Sequence, residues 1–178
     1  MARHEYWTDK NIGNANLKLR FLSGKNAMIR ISFIADEGSW SYVGTECKDI
    51  PANEPTMNFG WLRDNTNEAE WERVVVHEFG HALGCIHEHQ NPTGGIKWNK
   101  PVVYAYYKRK PNEWEPEDVD SNIFEKYSSN ITQFTQMDRD SIMAYYIPPA
   151  FTTNGFSMPE NSKLSPTDIA FIRAQYPK

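Results

Sequence analysis

Two cysteines in 178 residues, Cys47 and Cys85, are too few for a small fold stapled by disulfides. The count allows one bridge or two buried thiols. No apolar run approaches the ~18–20 residues that a membrane-spanning helix needs. The first twenty residues hold no apolar leader-like stretch, so the chain as it stands reads as cytosolic or as a mature domain behind a start Met. Basic charge is scarce too: 19 Lys and Arg against 23 Asp and Glu leave a net charge of −4. A protein that binds nucleic acid by neutralising phosphates carries the opposite balance. There is no internal repeat, low-complexity tract or long linker.

Aromatic residues, by contrast, are plentiful, with 6 Trp, 9 Tyr and 9 Phe in a chain that is 39% hydrophobic. That supports a packed core, and the length fits one domain, or two lobes sharing one cleft. Residues 17–22 (LKLRFL) and 27–34 (AMIRISFI) alternate as strands do, joined by the turn-forming Ser23-Gly24-Lys25-Asn26. Residues 40–43 and 56–62 are further extended candidates. The period then changes. Asn67 is a good N-cap with Glu70 three residues on, and Trp71, Val74, Val75, Phe79 and Ala82 keep helical spacing. The spacing predicts a helix over residues 68–83, stopped by Gly84. Short helices are expected over 101–108 and 115–127. A last one follows Ser165-Pro166, where Pro takes the first helical position.

Residues 77–87 read HEFGHALGCIH. Two histidines four apart lie on one helix face, so His77 and His81 can share one metal ion. Gly84 lets the chain leave the helix through a left-handed conformation that a residue with a Cβ resists, and the turn can return His87 to the same ion. Three neutral imidazoles leave a fourth position for water, the arrangement of a catalytic rather than a structural zinc site. Glu78, beside the first histidine, is placed to accept that water's proton. With this composition the five-residue core of the motif arises by chance in about one chain in a hundred, and the full pattern in about one in 10⁵. A metal-free histidine-rich helix is thereby disfavoured. Ligation by Cys85 would need it to displace the turn.

The H-E-x-x-H-x-x-G-x-x-H stretch resembles that of the metzincin zinc endopeptidases. Ser141-Ile142-Met143-Ala144-Tyr145 resembles their downstream Met-turn. Glu88 directly after the third histidine, together with Ser-x-Met-x-Tyr, is similar to the astacin family, and matching stretches run from about Tyr6 to Tyr176. The resemblance implies an α+β, metzincin-like fold of one catalytic domain, residues 1–178. A small twisted sheet and the zinc-binding active-site helix would form an upper lobe (about 1–87), and irregular helices a lower lobe (about 88–178), with a cleft between. It implies one catalytic Zn²⁺ held by His77, His81 and His87. Glu78 would be the general base, Met143 the floor beneath the metal, and Tyr145 the switching tyrosine that stabilises the oxyanion. Tyr145 is preferred over its neighbour Tyr146 by spacing. Glu88 would meet the buried N-terminus of a mature enzyme through water. His89 reads as a supporting or surface residue. Ala144 stands where the family usually has His, and Asn91 where many members have Arg. The family's long helix between the first two strands has only residues 23–26 in its place.

The expected activity is hydrolysis of internal bonds in extended polypeptides, paired with the edge strand around residues 39–43. No nucleic-acid partner and no membrane span are expected, and family resemblance implies secretion. The alternatives are a degenerate metzincin that binds zinc without turnover, or a small-molecule hydrolase on the same histidines. The intact Glu78 weighs against the first of these. The four-residue connection cannot carry a parallel crossover, so residues 17–22 and 27–34 are expected to form an antiparallel hairpin. Ile29, Ile31 or Phe33 would then be exposed on the uncovered face.

Overall fold

The computed structural model describes Trp7 and residues 15–22, 27–35, 37–110, 112–128 and 136–178. They form two compact units, Met1–Ile86 with Ser162–Lys178, and His87–Asn161. The C-terminal helix thus belongs with the first unit, whereas the sequence reading grouped everything after residue 88.

The first unit carries a three-stranded sheet in the order β1-β3-β2, with β1 at Ile31–Ser32, β2 at Ser39–Ser41 and β3 at Met57–Phe59. β1 runs parallel to β3, with Ile31 opposite Met57, and β2 runs antiparallel to it, with Ser39 opposite Phe59. Central β3 is buried along its whole length. Its polar residue, Asn58, is fully engaged. Its amide donates to the carbonyls of Ile34 and Gly38 (3.1 and 2.7 Å), and its Oδ1 accepts from Ile34 N–H and Ser32 Oγ (2.8 and 2.7 Å). A buried amide is tolerated only when its hydrogen-bonding capacity is met this fully. Gly60, just past the end of β3, packs so closely that a Cβ there would collide with the Gly38 carbonyl oxygen.

The expected hairpin is corrected by this topology. Among the described residues, 17–22 form no strand; the chain pairs just before them, Ala15 bridging Pro177. Within 27–34 only Ile31 and Ser32 are strand, and their partner is β3. The physical reason is the Asn58 side chain, which takes the backbone groups of Ile34 that a longer ladder would have used. The proposed turn, residues 23–26, lies outside the described residues. The expected exposure is present: Ile31 and Phe33 are exposed, as are Phe21, Leu22, Met28 and Ile34.

Helix α1, Glu68–Ala82, begins with Asn67 Oδ1 accepting from Glu70 N–H at 2.8 Å. Residues 74–81 are all buried, so the second half of α1 is enclosed rather than amphipathic. The indole of Trp7 donates to the Val76 carbonyl at 2.7 Å. The C-terminal helix of the chain, Pro166–Gln175, starts with a reciprocal cap between Ser165 and Asp168. Beyond its end, Tyr176 Oη donates to the Leu83 carbonyl, one of those left over where α1 stops.

In the second unit, α2 spans Lys100–Tyr107 and α3 spans Pro116–Val119. α3 continues as one π-helical turn, Asp120–Phe124, so the single helix expected over 115–127 is shorter and changes its winding midway. The C-terminal helix Pro166–Gln175 is α4. The second unit's core is Val103, Val119, Ile123, Ala144, Ile147, Phe151 and Met158.

Candidate metal centre

The exit of α1 builds the centre. Cys85 N–H bonds to the Gly80 carbonyl (3.0 Å) and Gly84 N–H to the His81 carbonyl (2.8 Å). Gly84 has φ = +94°. This is a Schellman stop with glycine at its left-handed position, and the reversed chain carries His87. One ligand atom each from His77, His81 and His87 lies within 4.8 Å of the others. Points so spaced lie within about 2.8 Å of a common centre, so closing on an ion at ~2.0–2.1 Å needs shifts below ~1 Å. Among the described residues this is the one cluster of metal-ligating side chains.

The protonation chemistry fits a zinc ion. Burial holds the His81 imidazole down to about pKa 4, against the Cys85 carbonyl, which favours the protonated ring. The ring is therefore neutral at pH 7, as a ligand must be. Its Nδ1–H donates to that carbonyl at 2.8 Å, leaving Nε2 for metal. His87 Nδ1 faces Gln90 Oε1 at 3.4 Å, which orients that ring in the same sense. Glu78 is 5% exposed, and among the described residues its Oε2 has no hydrogen-bond partner. Burial pushes its carboxyl up to about 8, with Arg73 pulling weakly the other way. The helix that carries His77 and His81 thus holds a desolvated carboxyl group between them in sequence.

Within the second unit a tight turn forms around Met143. Met143 N–H bonds to Ser141 Oγ (3.0 Å), Ala144 N–H to the Ser141 carbonyl (3.1 Å), and Glu88 N–H to the Met143 carbonyl (3.0 Å). Tyr145 lies with its ring centroid 4.2 Å from that of His87, while Tyr146 is exposed. Glu88 Oε1 accepts from Asp138 N–H (2.7 Å) and Asn91 Nδ2 (3.0 Å). Asn91, where the resemblance has Arg, thus ties Glu88 locally. The N-terminal contact that the resemblance gives Glu88 concerns residues 1–6, outside those described. Sequence reasoning passed over Gln90 and placed His89 too loosely; His89 is 2% exposed. Their partners lie more than thirty residues away, a distance no local pattern signals.

A three-histidine centre on a Schellman-terminated helix, followed by a methionine turn, defines the metzincin class of zinc metalloendopeptidases. No family model and no curated protein matches the chain. Among solved structures, one of myroilysin is 47% identical at a TM-score of 0.92, covering 99% of this chain and 86% of that one. A second myroilysin structure, also 47% identical, gives a TM-score of 0.70, with 99% and 77% covered. High choriolytic enzyme 1, a hatching enzyme zinc-protease from the medaka fish Oryzias latipes, shares the fold at 20% identity and a TM-score of 0.57, with 98% and 81% covered. Myroilysin is an astacin-family metzincin, and the chain belongs to that family.

Proposed function

We infer that this chain is an endopeptidase whose single catalytic zinc is held by His77, His81 and His87. Zinc, when bound there, supplies a water of lowered pKa and a Lewis acid for the scissile carbonyl. Glu78 accepts the water's proton and hands it to the departing amine. Tyr145 donates its phenolic hydrogen to the carbonyl oxygen as that oxygen gains charge. Met143 would form the floor beneath a bound metal, and the turn that carries it also carries Tyr145, whose ring meets His87. Substrate lies extended along β2, which is an edge strand of the sheet and can accept another strand. The substrates are polypeptides, and family membership carries the expectation of a secreted enzyme.

The observation that carries this reading is the buried Glu78 Oε2, which has no hydrogen-bond partner among the described residues and lies on the same helix turn as two of the three clustered histidines. A zinc-binding module without turnover has no use for a desolvated carboxyl group there. The test is Glu78→Gln, with zinc content and casein hydrolysis measured together. The expected result is one zinc per chain and a loss of about 10²–10⁴ in rate. A variant that keeps activity within tenfold of the parent would remove Glu78 from the mechanism. Abolition of casein hydrolysis in the parent by a chelator, and its return on adding zinc, tests the metal itself.

A further inference from the structure

His89 sits two residues past His87, takes no place in the ligand cluster, and is nearly inaccessible to solvent. Its Nε2 lies 2.9 Å from the Asn122 carbonyl oxygen. A carbonyl only accepts, so Nε2 carries a proton and donates it. The next side chain repeats the contact, Gln90 Nε2 donating to the Ser121 carbonyl at 3.0 Å. Both carbonyls belong to the π-turn that ends α3, whose closing backbone bond runs from Glu125 N–H to the Asp120 carbonyl. A helix end leaves its last carbonyls without helical donors. Here two adjacent side chains take them, which fixes the His89 ring in position.

That ring forms a backing plate. Its centroid is 4.7 Å from the Tyr145 ring with planes 31° apart, and 5.2 Å from the His87 ring with planes 22° apart. Tyr145 and His87 are themselves 4.2 Å apart. Trp98 meets His89 edge-on at 6.4 Å. Tyr145 and His89 also border a small apolar space lined by Trp98, Tyr107, Ile123 and Phe151.

We propose that His89 is a positioning residue for Tyr145: anchored on the carbonyl end of α3, its ring holds the tyrosine against His87. The consequence for catalysis rests on the role given to Tyr145 above, but the seating itself is a property of the protein with or without metal. The test therefore has two arms, both on the full chain. In the first, tyrosine rings are labelled with ¹³C and NMR spectra are recorded on zinc-loaded and metal-free protein. The Tyr145 signal is identified by its absence in Tyr145→Phe. Two imidazole faces displace that signal upfield. In His89→Ala it should move towards the position of an exposed tyrosine in both forms, and in His89→Phe, which restores a ring, it should move less. The second arm is kinetic. His89→Ala should keep its zinc, lower kcat about tenfold to a hundredfold with KM within about twofold, and add no further loss when combined with Tyr145→Phe. His89→Phe should recover part of kcat.

An unmoved Tyr145 signal in His89→Ala, losses that multiply in the double variant, or a His89→Phe no better than His89→Ala would overturn the proposal. If Tyr145→Phe alone leaves kcat intact, the oxyanion role of Tyr145 fails instead, and the NMR arm still decides the seating.

Discussion

His77 and His81 are held by regular structure, whereas His87 and Tyr145 are held without it. The first pair ride a 15-residue helix, and its i,i+4 geometry alone sets their spacing. The second pair lie on a one-turn segment and a tight loop, fixed by individual side chains. Glu88 takes the Asp138 amide, Ser141 the Met143 amide, and Asn161 Nδ2 the Ser141 carbonyl at 2.9 Å. A helix spreads its support over many equivalent backbone bonds. An irregular segment concentrates it in a few, and each one lost leaves a polar group short of a partner at ~1–3 kcal/mol. The helix thus sets the spacing of its two histidines robustly, while the loops carry the parts whose placement can be tuned.

The largest effect expected breaks the regular side. His81→Ala removes the imidazole whose tautomer the Cys85 carbonyl fixes, so elemental analysis should find well under one zinc per chain and proteolysis at background. Equal zinc in parent and variant would refute the ligand assignment. Next comes the irregular side. Tyr145→Phe should keep its zinc and lose about 10²–10³ in kcat, the scale of one oxyanion donor. The exposed Tyr146→Phe should change kcat by less than about twofold; the reverse order would transfer the role to Tyr146.

The junction itself gives the third effect. Gly84 has φ = +94° and open space where a Cβ would go, so Gly84→Ala isolates backbone strain from steric clash. Denaturant unfolding should show a loss of about 1–2 kcal/mol, together with weaker zinc binding, because the Schellman turn that returns His87 is the strained element. Gly95→Ala, in the irregular unit, has neither a left-handed φ nor a neighbour within 4 Å. It should change stability by less than about 0.5 kcal/mol. Equal effects at the two glycines would remove the turn from the site's construction.

What could be read from the sequence follows the same division. Helix α1 ends one residue before the expected position, and its Asn67 cap and Gly84 stop are where the pattern placed them. The start of α4 at Pro166 and the extended segments around Trp40 and Asn58 were equally legible. These features depend on residues within a few positions of one another. The hairpin of residues 17–22 with 27–34 was misread because alternation reports two faces but not a partner, and the partner chosen was β3. Glu88 and His89 were singled out in the sequence, but the partners they and Gln90 take were not legible, for a related reason. Each acts on a carbonyl or amide 31 to 50 positions away, and backbone groups carry no sequence signature.

The smallest effect lies at the far end of α1 and asks whether the helix is as robust as this contrast requires. Asn67 caps Glu70 N–H, but the Glu70 carboxylate does not reach back to close the box. It pairs instead with Arg73 Nε and Nη2 at 2.8 Å and accepts from Trp61 Nε1 at 2.9 Å. The Arg73 hydrogen bonds, aided by Trp61 and outweighing the partial burial, hold the carboxyl below its ordinary 4.5. A carboxyl lowered in the folded state stabilises the fold above its unfolded pKa, and that contribution fades as pH falls through the folded value. Its place in the first helical turn adds a favourable interaction with the helix dipole. The pair is largely solvent-screened, so the sum is about 0.3–1 kcal/mol. Glu70→Gln should therefore lower the melting temperature of the metal-free protein by about 1–3 °C at neutral pH. The deficit should shrink with added salt and close in acid, while kcat at neutral pH stays at the parent value. A deficit unchanged by acid and salt would assign the effect to packing against Trp61 rather than to charge. A fall in kcat would show that the first turn of α1 is coupled to the histidines at its other end, and that the helix is a less independent support than its continuous backbone bonding implies.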